Sequence, residues 1–322
     1  MSGARGVVRR GRAGAALVAA ALSIWPAAAL AHPGRALAPH DVWTAWTFEP
    51  VEVPLLALSA LLYARGVRGL WARARTGAGV RRWEAACFAG GWLVLALALV
   101  SPVHAMGAVL FSAHMAQHEL LMAVAAPLLV LGRPVVAGVW ALPPAWRRRL
   151  GAVPRQRAVR GAWHAVAGIG AASVIHGAAV WAWHAPALYQ WTLRSDLAHA
   201  AQHATFLCTA LLFWWAILAP RARRTRPGAG VLALFVTTLH TGALGALLAL
   251  ATRPWYPAYI RTTSAWGLTA LEDQQLAGLV MWVPASFAYV AAALWILGAC
   301  LTDRGPGLPA LDSRVSVLGK GI

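Results

Sequence analysis

The sequence predicts an all-α polytopic membrane protein, with seven transmembrane helices after a signal-like N-terminal segment. Three observations carry that expectation. Of 322 residues, 60% are hydrophobic and 12% charged, whereas a soluble domain carries about 25% charged residues. Apolar stretches close to the roughly 20 residues needed to cross a bilayer recur along the chain. The basic residues behind the formal net charge of +18 fall in short clusters between those stretches. That is the pattern of membrane loops, not of a nucleic-acid-reading face, and no nucleic acid partner is expected.

Residues 1–31 open the chain with Arg5, Arg9, Arg10 and Arg12, continue in an Ala/Leu-rich run, and end in Ala29-Leu30-Ala31, an A-x-A cleavage pattern. They read as a signal peptide or an uncleaved first helix, and either version exports residues 32–50. A cleaved chain would begin at His32, whose amine and ring could chelate Cu(II) together. A membrane domain follows at 51–300, with spans expected at 51–70, 83–102, 105–131, 162–183, 197–218, 229–251 and 274–300. Residues 134–142 are too short to cross and are expected at the interface. Residues 301–322 form a short tail rich in Gly and Pro.

Placing 32–50 outside puts twenty Lys and Arg in inside loops and only Arg35, Arg194, Arg253 and Arg261 outside. The positive-inside rule then sets a cytoplasmic C-terminus. Many of the 18 tryptophans sit near span ends, as an interfacial aromatic belt requires. Cys87, Cys208 and Cys300 are isolated, so neither a disulfide framework nor a thiolate zinc site is indicated.

The chemistry lies in histidines. His114/His118 and His199/His203 are two pairs at four-residue spacing inside apolar stretches. That spacing sends both rings of a pair from one helix face. Ionisable groups inside a membrane are costly and are functional-site hypotheses by default. Two such helices facing each other would offer four imidazoles to one metal or cofactor. With the third span starting at 105, His114 and His118 are expected roughly 13–20 Å below its outer end. His240, mid-way along the sixth span, and His184, at the end of the fourth, are further candidates.

Neutral imidazole suits copper, zinc, iron or nickel, and Met122, one turn beyond His118, would add a thioether that favours Cu(I). Asp273 caps the seventh span or stands as a carboxylate above the histidines, with Gln274 beside it. Glu119 orients a histidine of another helix or carries protons. Gly278, with Gly242, Gly245 and Ala246, marks a close helix approach. His104, His164 and His176, taken singly, read as hydrogen-bonding to neighbouring helices.

Four motifs in order then point to a family: HMAQH at 114–118 before LLMAVAAPLLVLGRP, WHAPALY at 183–189, HAAQH at 199–203 before FLCTALLFWW, and DQQLAG at 273–278 before LVMWVP. The chain resembles the CtaG-like cytochrome c oxidase assembly factors, multi-spanning bacterial membrane proteins, from about residue 45 to 300. The resemblance implies seven spans, a bacterial plasma-membrane location and a non-enzymatic role in maturing haem-copper oxidase, with oxidase subunits and a copper donor protein as partners. The expected function is binding copper at the outer side and delivering it to the oxidase. Three rivals stand beside it: a zinc-dependent membrane hydrolase, a b-type cytochrome with paired axial histidines, and a scaffold that only holds oxidase subunits, its histidines being packing residues.

Overall fold

The computed structural model describes residues 37–73, 76–77, 79–153, 156–219 and 226–302. The signal-like segment at 1–31 and the tail beyond 302 lie outside them, as does His32. No strand occurs among the described residues. The helices, in order, are α1 (Glu52–Arg73), α2 (Arg82–Val100), α3 (Pro102–Gly107), α4 (Phe111–Leu131), α5 (Pro134–Ala141), α6 (Pro144–Ala152), α7 (Arg157–Val166), α8 (Ile169–His184), α9 (Pro186–Thr192), α10 (Asp196–Leu218), α11 (Pro227–Ala249) and α12 (Ala270–Thr302). Six of them, α1, α2, α4, α10, α11 and α12, are long and apolar enough to cross a membrane. The fourth expected span is not straight. It is α7 and α8 meeting at 64°, which makes a seventh crossing if the bent pair is one span.

The third expected span also differs. It begins at Phe111, not at 105, because a carboxylate far along the sequence caps it there. Asp273 is fully buried. Its Oδ2 accepts the Phe111 N–H at 2.6 Å, and its Oδ1 accepts the Ser112 N–H at 3.1 Å and the Ser112 hydroxyl. These are donors that a helix start otherwise leaves unpaired. Residues 102–107 become the separate short helix α3.

Asp273 does not cap its own helix. Thr269 and Glu272 do that in a capping box, Thr269 N–H donating to Glu272 Oε2 at 2.8 Å and Glu272 N–H to Thr269 Oγ1 at 3.2 Å.

Further along α4, residues Leu120–Ala125 form a π turn. Pro127 explains it: a proline inside a helix lacks a donor and clashes with the preceding turn. The missing donor leaves the Met122 carbonyl without an intrahelical partner, and Trp214 Nε1 of α10 fills the place at 2.9 Å. Trp214 in turn stacks on Tyr289 of α12, with ring centroids 5.7 Å apart. One proline thus ties α4 to α10.

The remaining helices pack through small residues, as membrane helices do when backbones must approach closely. A Cβ on Gly278 would sit 2.5 Å from the Gly245 carbonyl oxygen, so α11 and α12 touch backbone to backbone. The 134–142 segment is largely α5, and its Ala137 fits against Gly66 of α1, where a Cβ would lie 1.9 Å from the Ala137 carbonyl oxygen.

Candidate metal centre

The two histidine pairs occupy equivalent places. His114 and His118 are three and seven residues past the start of α4, and His199 and His203 are three and seven past the start of α10. At 1.5 Å per residue they lie about 4.5 and 10.5 Å along their helices. This corrects the deeper position expected of His114 and His118, and the cause is the Asp273 cap.

The four rings converge. Centroids are 4.4 Å apart for His114 and His118, 4.2 Å for His199 and His203, 5.3 Å for His114 and His199, and 5.4 Å for His118 and His203. Nitrogens of His114, His199 and His203 lie within 4.8 Å of one another. His118 is the fourth ring, directly against His114.

Hydrogen bonding leaves this group unfinished. Both nitrogens of His118, both of His203, and His199 Nε2 are buried with no hydrogen-bond partner among the described residues. Buried polar atoms normally find partners, and each one left alone costs on the order of 1–3 kcal/mol. Lone pairs of several neutral imidazoles aimed at one place are what a transition-metal ion uses. The residues present therefore fit such an ion.

His114 Nε2 faces the fully buried Gln202 Oε1 at 3.3 Å. The Gln202 amide therefore fixes the orientation of the His114 ring. An orienting partner of this kind typically accompanies metal-bound histidines.

Sequence reasoning missed four contributors. His104, read as an isolated histidine, enters the group from α3, 5.4 Å from the His199 ring. Burial lowers its pKa, so the ring is neutral. Gln117 holds it, donating from Nε2 to His104 Nδ1 at 3.0 Å and to the Ala98 carbonyl at 2.9 Å. Gln202 does the comparable work on α10, and a signal for both glutamines was available: each helix carries H-x-x-Q-H. The fourth is Met115, whose Sδ lies 3.2 Å from His184 Nε2.

The other expected residues are distributed unevenly. His184 sits at the margin, its ring 6.3 Å from His118. Met122 lies past the onset of the π turn, where a step of four residues no longer means one α-turn. His240 is not drawn in. Its Nδ1 accepts from Trp181 Nε1 at 3.3 Å, and its ring passes beside Gly177 of α8. Asp273 binds backbone and serine, as described, so it acts on the site by fixing where α4 starts. Gln274 holds the loop before α12, its Oε1 accepting from the Trp255 N–H at 2.6 Å. Glu119 is buried with Oε2 unpartnered, in the neighbourhood of Tyr289. His176 bonds Thr209 Oγ1 of α10 at 3.1 Å, the interhelical role expected of it.

Three tyrosines roof the group. Tyr189 and Tyr259 share a 2.8 Å hydroxyl contact, Tyr259 donates to the Gly107 carbonyl at 2.9 Å, and Tyr256 donates to the His184 carbonyl at 2.8 Å. Burial raises the pKa of all three, so they stay neutral donors. The Tyr189 ring is 5.2 Å from His114.

Comparison with known proteins agrees with the motif reading. The family described as cytochrome c oxidase caa3 assembly factor matches residues 61–303. Uncharacterized proteins of Mycobacterium bovis and Mycobacterium tuberculosis are each 28% identical over 255 residues, covering 75% of this chain. The chain spans 37% of the length of those relatives. No solved structure matches.

Proposed function

This chain belongs to the cytochrome c oxidase caa3 assembly factor family, and we propose that it serves oxidase assembly by binding copper and passing it on. His114, His199 and His203 are the ligands, with His118 beside them. Copper here is cargo, taken from a donor protein at the outer side of the plasma membrane and given to oxidase subunits. The protein itself performs no bond chemistry.

The observation that carries this reading is the set of buried, unpartnered imidazole nitrogens at one end of α4 and α10. A protein whose only task was to hold oxidase subunits would gain nothing from burying them unsatisfied. An all-nitrogen group also accepts zinc, so the metal must be identified directly.

The test is elemental analysis and a visible spectrum of the purified protein after copper or zinc loading. Bound copper is expected, and its amount falls when His199 and His203 are both replaced by Ala. Copper content unchanged by that double substitution would remove the proposal. A haem spectrum would replace it with the cytochrome reading. Zinc bound in preference to copper would favour the hydrolase.

A further inference from the structure

Resting on the copper reading above, we propose a second position, selective for monovalent copper, made by the Met115 thioether and the His184 imidazole, with His118 as the ring between the two positions. His184 closes α8. Its Nδ1 is 2.6 Å from the carbonyl oxygen of Val180, one turn earlier. A carbonyl only accepts, so Nδ1 carries the proton of the neutral ring and Nε2 keeps its lone pair. That lone pair meets Met115 Sδ at 3.2 Å. A thioether sulfur has no proton to offer either.

Two electron-pair donors therefore face each other where His184 is 3% exposed and Met115 is 0% exposed. With no hydrogen between them the contact is unfavourable. A cation between them makes it favourable. A second proton on His184 would do so only by burying an imidazolium, and buried charge without a partner is costly.

The chemistry of the pair selects the cation. Thioether ligands suit Cu(I), while hard oxygen-seeking cations avoid sulfur. The group of His114, His199 and His203 is nitrogen-only and makes no such choice. His118 lies between the two, 4.4 Å from His114, 5.4 Å from His203 and 6.3 Å from His184 by ring centroid, with both nitrogens unpartnered. An ion can pass from the histidine group to the sulfur through that ring with no change of oxidation state. Among the described residues Met122 has no such partner, so the soft donor on α4 is Met115.

The experiment loads the full chain, purified in detergent, with Cu(I) under anaerobic conditions and, in parallel, with Zn(II). Metal content and copper X-ray absorption are then measured. Saturated wild-type protein is expected to show a sulfur scatterer beside nitrogen. Met115→Leu, which keeps side-chain volume, should lose the sulfur signal and half of the Cu(I) capacity, with Zn(II) capacity unchanged. Met122→Leu should change neither.

Nitrogen-only copper in wild type, or sulfur scattering that survives Met115→Leu, overturns the second position and leaves the copper function standing. Sulfur-bound copper alone, indifferent to replacing His199 and His203 by Ala, removes the histidine group and keeps the thioether position. Absence of bound copper removes both.

Discussion

The two ends of α4 and α10 bury polar atoms in opposite ways. Toward their C-terminal halves, Pro127 breaks the α4 ladder, and the freed Met122 carbonyl is taken by the Trp214 indole. At the N-terminal end, the start of α4 is capped by Asp273 and that of α10 by Ser195. There the caps take up backbone donors, yet five nitrogens of His118, His199 and His203 have no partner among the described residues. Single unpartnered atoms also occur elsewhere, at Glu119 Oε2 and His176 Nε2 among others, but five of them gather on three adjoining imidazoles, which is what a ligand site requires.

Four substitutions test whether the two ends are independent. The largest effect is expected from Asp273→Ala. It strands the Phe111 and Ser112 N–H groups and the Ser112 hydroxyl, all buried, for a loss of about 3 kcal/mol or more in stability. Thermal unfolding in detergent reads this directly. Wild-type stability would mean that the cap does not set the start of α4.

Next is Gln202→Leu, which removes the partner of His114. Orienting groups of this kind are worth about 10–100-fold in metal affinity. Competitive Cu(I) titration should show that loss, with the metal-free protein nearly as stable as before. Equal affinity would show that His114 is held by something else.

Trp214→Phe should be smaller. It keeps the aromatic ring but orphans the Met122 carbonyl, at a cost of about 1–2 kcal/mol. Copper affinity should not move. If it falls, the two ends are coupled and the contrast drawn between them fails.

His240→Ala should do least. The residue gives up one partly exposed hydrogen bond to Trp181, worth about 1 kcal/mol or less, and copper content should equal that of wild type. A drop in copper would bring α11 into the site.

Much of this was legible in residues. Apolar run lengths marked the crossings, and four-residue spacing put each histidine pair on one face. Two errors have a single kind of cause. His114 and His118 were expected deep in the span because nothing near residue 111 announces a helix start; the signal is 162 residues away, in Asp273. Ideal helical spacing points to Met122, and it fails where Pro127 forces the segment into a wider turn. His240 lies at a depth that suits the site, but depth says nothing of the direction in which a helix faces, and the ring turns to Trp181.

Local sequence determined that this chain is helical, that it is built for a bilayer, and which rings share a helix face. Those properties follow from composition and from the 3.6-residue repeat, and they need no knowledge of neighbours. Which imidazoles meet, and at what height, was decided by contacts between distant segments: Asp273 starting α4, Trp214 tying it to α10, and paired glycines bringing α11 against α12. Helix register and rotation come from such contacts, because an isolated helix has no preferred partner or direction.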